Sequence, residues 1–446
     1  MKLIRRKHSE EKILKSKEII KKEKQKIKEE KIKQKQLKKE KFYKTKIGKF
    51  FKPKKKDGEV FSIKEQIFSM LYFEIIGVII CLLVLFALSG GRNYIKLYSE
   101  LSKLIKVYDT IQSEYYGEVD KELLVDSAIQ SMIDSIDDNY TTYTNEADTN
   151  SFFENLNGTY EGIGCMVSMT ENGDIIVATV FEDSPAEAAG LKEDDIILKI
   201  DDQDFSEKTS DDMANYVKEN SNEKIKVTIK RGEEQKELTI TRKKVEVPTV
   251  TSKTIEKNNK IIGYIDISIF SSVTYEQFKK NLEKLEKENI EGLVIDVRDD
   301  TGGYLSSVTD ISSLFLKKGQ IIYQLDDGEE IEKIKDKTKE CRNYPIAILI
   351  NGASASASEI LASAIKESYG GIVVGTNSYG KGTVQKTNTL SDGSMIKYTT
   401  QKWLTPNGIW INEVGVEPTV EIDLNSASKT DNQIDAAVDE VIKKLN

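Results

Sequence analysis

The chain has 446 residues and a formal net charge of −8. That length supports two or three domains with separate cores. The charge is divided: residues 1–66 carry 26 basic against 10 acidic side chains, net +16, and the remainder 40 against 64, net −24. The acidic remainder has no electrostatic reason to bind nucleic acid. The three cysteines, Cys81, Cys165 and Cys341, make no disulfide framework, and a Cys165–Cys341 bridge is disfavoured. The only histidine is His8, so neither a zinc site nor a histidine-based serine protease is expected, and no metal or cofactor is implied.

Residues 1–66 form a basic cytoplasmic tail. Its Lys/Glu/Gln/Ile stretch reads as a solvated helix or disordered arm, with Ile13, Ile20 and Ile27 at a seven-residue spacing that then fades. Residues 67–89 hold the one long apolar run, which is long enough to span a bilayer as an uncleaved signal anchor. The basic residues before it place the N-terminus in the cytoplasm and everything after about residue 90 outside. Glu74 fits an interfacial position in that run.

Residues 94–157 read as a helical segment, with Ile95, Leu101, Leu104, Ile105 and Tyr108 on one face and Leu123, Leu124, Ala128, Met132 and Ile133 on another. Residues 158–244 change to short strands at 164–168, 175–180, 196–200, 225–230 and 237–241, punctuated by Gly, Asp and Asn. Val247-Pro248 opens a linker-like passage. Over 248–425, strands expected at 261–266, 292–297, 345–350 and 371–375 alternate with helices expected at 274–288, 306–316 and 356–368. That order predicts βαβ units with mostly parallel pairing. Residues 426–446 end in a short amphipathic helix.

The chemistry-bearing residues sit in this last region. Asn351-Gly-Ala-Ser-Ala-Ser-Ala-Ser-Glu359 follows an apolar strand, and Ser356 opens a helix. A nucleophile there faces free N–H groups and the positive end of the helix dipole. The Ala357 N–H is then a candidate oxyanion donor. With no histidine near, Lys381 in Tyr379-Gly-Lys-Gly-Thr-Val-Gln385 is the candidate base. It must be neutral to work, which burial in an apolar pocket can achieve. Strand alternation puts Lys381, Thr383 and Gln385 on one face, so the Gln385 carbonyl is a candidate to orient the amine. The second oxyanion donor is expected from Gly302-Gly303, at the end of the strand through Asp296.

These motifs resemble the carboxyl-terminal processing peptidases, tail-specific serine–lysine proteases. Ser354–Glu359 and Tyr379–Gln385 match the family's two catalytic stretches, and Leu404–Gly408 and Gly415–Pro418 are also similar to it. The resemblance implies a crotonase-like protease core in a chain of α/β and β modules. It implies Ser356 as nucleophile, Lys381 as base and Gln385 as the residue orienting it. One departure stands out: Asp299-Asp-Thr-Gly-Gly303 replaces the family's frequent Asn-Asn-Pro-Gly-Gly. Tyr160–Val167 with Ser184–Ile197 resembles a PDZ domain, whose Gly162-Ile163-Gly164 loop would take a terminal carboxylate while the next strand pairs with the peptide.

The expected function is therefore a membrane-anchored, extracytoplasmic endopeptidase acting on proteins or peptides with free C-termini, with homodimerisation allowed by the resemblance. A catalytically inert PDZ scaffold is the alternative. An acyl-CoA enzyme, suggested by the crotonase fold, is disfavoured by the PDZ segment and the serine–lysine pair.

Overall fold

The computed structural model describes residues 25–26, 28–38, 41, 44, 63–88, 94–220, 222–339 and 341–446. The basic tail proposed for 1–66 falls largely outside them. The chain divides into two units, Met1–Glu118 and Val119–Asn446. The first contains helices α1 (Ile63–Leu88) and α2 (Tyr94–Glu114). Among the described residues no helix is long and apolar enough to cross a membrane.

The second unit runs through α3 (Lys121–Asp134), β1 (Thr142–Thr144), α4 (Glu146–Asn157), β2 (Thr159–Gly162), β3 (Cys165–Met169), β4 (Ile175–Val180), α5 (Pro185–Ala188), β5 (Ile196–Ile200), β6 (Gln203–Asp204), α6 (Ser210–Glu219), β7 (Lys224–Arg231), β8 (Glu234–Thr241) and β9 (Lys243–Glu246). It continues with β10 (Val250–Lys257), β11 (Lys260–Ile267), α7 (Thr274–Lys287), β12 (Gly292–Asp296), α8 (Leu305–Ser313), β13 (Ile321–Asp326), β14 (Ile331–Lys335) and β15 (Ile346–Ile350). Then come α9 (Ala357–Ser363), β16 (Ile372–Gly375), β17 (Thr383–Thr389), β18 (Met395–Leu404), β19 (Val420–Glu421) and α10 (Asn432–Leu445).

The central sheet has the order β10-β11-β12-β15-β16-β19, parallel throughout except for the β10–β11 pair. Its strands are apolar on both sides because both faces are covered. Leu293, Ile295, Ile346, Ile348 and Ile350 pack toward α7, α8 and α9. Val294, Ala347, Leu349 and Val374 pack toward α10 through Ala437, Val438 and Val441. Each such Val, Leu or Ile side chain contributes about 1.5–3 kcal/mol by leaving water. A second sheet, β1-β18-β13-β14 with β17 on β18, carries the strand that follows Lys381.

Residues 165–241 form a small β module with its own core, including Ile175, Ile197, Ile200, Ile225 and Ile240. Its sheet runs β3-β4-β5-β7-β8, so β3 is an edge.

Two expectations change. The helical reading of 94–157 is changed by β1, which pairs with β18 over Thr142–Thr144 and Met395–Lys397. The linker-like passage after Val247-Pro248 becomes β10, paired with β11 along its whole length. The three cysteines are free thiols.

Candidate active site

The two central strands β12 and β15 end side by side, and their following loops build the site. This is where open parallel sheets place ligands. After β15, Ser354 Oγ donates to the Val297 carbonyl at 2.7 Å, and Ser358 Oγ to the Asp300 carbonyl at 2.9 Å. Both serines are buried. Ser356 stands between them at the start of α9 with φ 56°, a left-handed conformation that disfavours a side chain. The two flanking serines thus fasten the turn to the end of β12 and leave the middle one facing the cleft.

The paired glycines meet this turn closely. Gly302 has φ 101°, and a Cβ there would lie 2.8 Å from the Ser356 Cβ and 2.9 Å from the Ala357 nitrogen. Only glycine fits. Its N–H is already committed, donating to Asp300 Oδ1 at 2.8 Å. Among the described residues the Gly303 and Ala357 N–H groups have no protein acceptor.

Glu359 connects the nucleophile to the lysine. It is fully buried. One carboxylate oxygen accepts the N–H groups of Ser356 at 2.7 Å and Lys381 at 2.9 Å. The other accepts Ser378 Oγ at 2.6 Å and the Gly380 N–H at 2.7 Å. Burial pushes this carboxyl up from its ordinary range, against those four hydrogen bonds. Trp403 Nε1 donates to the Lys381 carbonyl at 2.7 Å and fixes the lysine's backbone from the far side.

The Lys381 side chain lines the same cleft as Ser356, Gly302, Gly303 and Gln385, a cavity of about 690 Å³ with apolar walls at Phe152, Leu305 and Trp403. Burial lowers the lysine's proton affinity, and the charge on Lys397 lowers it further, against Glu359 and Asp138. The ammonium lies 4.9 Å from the Tyr140 ring centroid, a contact that favours the charged form. That contact opposes the desolvation of the half-buried amine, and the net direction is downward. Desolvation therefore prevails.

Gln385 donates through Nε2 to Thr383 Oγ1 at 2.9 Å and Thr399 Oγ1 at 3.2 Å. The shared face of Thr383 and Gln385 is as the alternation predicts. Among the described residues no hydrogen bond joins Ser356, Lys381 and Gln385 to one another. Such bonds are often long in a ligand-free site and tighten on substrate.

The second expected site is the Gly162–Gly164 loop. Here Ile163 is buried, and its carbonyl accepts the Ala186 N–H at 2.8 Å. Tyr160 lies across Gly162, and the Gly164 and Cys165 N–H groups face its hydroxyl. Burial pushes that hydroxyl up to about 12. Beside the edge strand β3, a groove of about 620 Å³ is lined by Ile163, Cys165, Val167, Met213 and Val217. The Lys218–Glu154 ion pair, 2.7 Å, ties α6 to α4 at its side.

Family models match three parts of the chain: Peptidase family S41 at residues 261–422, PDZ domain at 162–241, and the activating protease CtpB N-terminal domain at 89–149. The carboxy-terminal processing protease CtpB of Bacillus subtilis is 41% identical over 326 residues, covering 72% of this chain and 68% of that protein. This chain belongs to peptidase family S41.

A probable CtpA-like serine protease of Staphylococcus aureus strain COL is 35% identical to this S41 peptidase over 328 residues, 73% of this chain and 65% of that one. Among solved structures, the photosystem II D1 C-terminal processing protease is similar at 24% identity and a TM-score of 0.45, covering 75% of this chain and 88% of that one.

Two parts of the site were not read from the sequence of this S41 peptidase. Glu359 carries no local signal of its role beyond closing the serine motif, since three of its four donors lie 19 to 22 residues further on. Tyr140, which stacks on the lysine, lies in the N-terminal helical region and reaches the site only because β1 pairs with β18.

Proposed function

We propose that this S41 peptidase is a membrane-anchored, extracytoplasmic serine endopeptidase that binds substrate C-termini through its PDZ segment and cleaves through a Ser356–Lys381 acyl-enzyme. The observation that carries this reading is the buried Glu359 carboxylate, which binds the backbone of both Ser356 and Lys381 in one cleft. Neutral Lys381 takes the Ser356 hydroxyl proton as Oγ bonds to the scissile carbonyl carbon. The oxygen that becomes negative meets the N–H groups of Gly303 and Ala357. The C–N bond then breaks, and the departing amine receives the proton from Lys381. Water, deprotonated by the Lys381 amine, then attacks the acyl carbon; the ester C–O bond breaks and Ser356 Oγ takes the proton back from Lys381. Gln385 orients the lysine once substrate fills the cleft.

The two-sided parallel sheet supports a crotonase-like core. Anchoring is supported by the charge division at residue 66 and by the apolar run of residues 67–89. Pairing with a second copy is supported by Leu97, Leu101, Leu104 and Ile105, exposed along α2.

Activity should rise with pH as Lys381 loses its proton. Its proton affinity is lowered, so kcat/KM for residues 92–446 should climb below the ordinary lysine range near 10.4. A profile flat between pH 5 and 9 would count against a lysine base.

Substrate choice should depend on a free C-terminus. The loop N–H groups offer a charge-assisted contact that an amide lacks. Losing it costs about 1.5–3 kcal/mol. Amidating the C-terminus of a good peptide should therefore slow cleavage at an upstream site at least about tenfold. Reaching the loop also requires displacing the Tyr160 hydroxyl. Equal cleavage of the acid and amide forms would remove tail selection from the reading.

A further inference from the structure

One acid beneath the nucleophile has no part in the steps above. Asp300 is fully buried. Its Oδ1 accepts the Gly302 N–H at 2.8 Å. Its main-chain carbonyl accepts the Ala355 N–H at 3.0 Å and Ser358 Oγ at 2.9 Å. One residue thus ties the glycine loop to both flanks of Ser356. Asp300 also stands where the resembled family frequently has asparagine, a side chain of the same shape that cannot ionise.

Its second oxygen, Oδ2, is buried without a hydrogen-bond partner among the described residues. An anion with one unpaired buried oxygen is far more costly than a neutral acid in the same place. The charged neighbours give it no relief. Asp266, on β11, has the same sign. In its own loop, Asp299 is exposed and bound to Asn351, and Asp296 is paired with Arg298 at 2.6 Å. Arg298 is further engaged by Asp431 at 2.9 Å. Lys253 stands over the Tyr264 ring at 4.8 Å. On α9, Glu359 is held by its own four donors.

We propose that Asp300 is a positioning residue that works as a neutral acid: it holds the Gly302 N–H out of the oxyanion site, leaves Gly303 and Ala357 to face the substrate, and on ionising disables that site. The proposal rests on the serine–lysine reading above. The last step is electrostatic. A negative charge here stands against the negative charge that develops on the substrate oxygen. Burial is the main reason its carboxyl is pushed up to about 8, which puts the ionisation within reach of an assay.

The experiment compares kcat/KM from pH 6 to 10.5 for the wild type and Asp300→Asn, using a peptide with no amine, thiol or phenol of its own. Asparagine keeps the acceptor for Gly302 and removes the titration. The ratio of wild-type to variant kcat/KM should fall above about pH 8, approaching tenfold per pH unit, while the variant follows the rise set by Lys381 alone.

Melting temperature gives a second readout that does not need turnover. A buried acid whose folded pKa is raised contributes stability below the ordinary carboxylate range and loses it as pH rises to about 8. Asp300→Asn should therefore gain in Tm relative to the wild type between pH 4 and 8, and the gain should then level off. Activity in the wild type with an alkaline limb unchanged by the substitution overturns the Asp300 assignment alone. So does a Tm difference that is constant with pH, or a variant that fails to fold. A folded wild type without hydrolysis at any pH overturns the serine–lysine reading, and the Asp300 role with it.

Discussion

Ser356→Ala and Lys381→Arg should each lower kcat/KM for a tail-bearing peptide by roughly 10⁴-fold or more, with folding intact. Alanine at 356 occupies the same left-handed position as serine and disturbs only the Oγ. The Glu359 contact to residue 356 is made through the backbone, so it survives. Arginine at 381 keeps the charge and the Tyr140 stacking, but a guanidinium does not give up its proton in a protein. No imidazole can take over, since the single histidine is His8. Stability of both variants, measured by denaturant midpoint, should stay within about 1 kcal/mol of the wild type. Turnover above about one per cent in either purified variant would sink the assignment of nucleophile or base. Loss of activity together with loss of folding would instead point to a packing role, and the midpoint separates the two.

What the sequence disclosed follows from where each residue is buried. The central strands 292–296 and 346–350 were legible because burial on both faces makes them continuously apolar. Helices α7 and α10 were legible because one face is apolar and the other charged. Other elements were hidden for the opposite reason. Edge strand β10 alternates weakly, with mostly polar residues. Helix α6 buries only Met213 and Val217, and its start is marked by the Thr209–Asp212 capping box more than by periodicity. Strand β18 takes its form from three partners, β1, β13 and β17, of which only β17 was legible as a local pattern. The site divides in the same way. Ser356 and Lys381 stand in short motifs and could be named at once. The contacts that place them come from residues distant in the chain: Asp300 under the serine turn, Tyr140 over the lysine, and Trp403 behind it.

Glu359→Gln should be the most damaging single change outside the reacting groups themselves. Four donors converge on its two oxygens, and none is solvent-facing enough to be satisfied otherwise, because the side chain is fully buried. A glutamine amide turns one acceptor oxygen into a donor. Whichever way it is flipped, two of the four donors then face an NH₂ group. Each buried donor left unmet costs about 1–3 kcal/mol, so the loss should be about 3 kcal/mol or more. Two backbone features depend on the same carboxylate: the strained, left-handed Ser356 and the Gly380-Lys381 turn that delivers the amine. Releasing them moves nucleophile and base independently, and a misplacement of about 1 Å can cost 10²-fold in rate. The expected result is a lower denaturant midpoint together with kcat/KM reduced at least about 10²-fold. Glu359→Asp keeps both acceptors but is one methylene short, so it should recover part of the stability and less of the rate. A Glu359→Gln variant with wild-type midpoint and wild-type kcat/KM would show that the carboxylate does not hold the serine and lysine loops together.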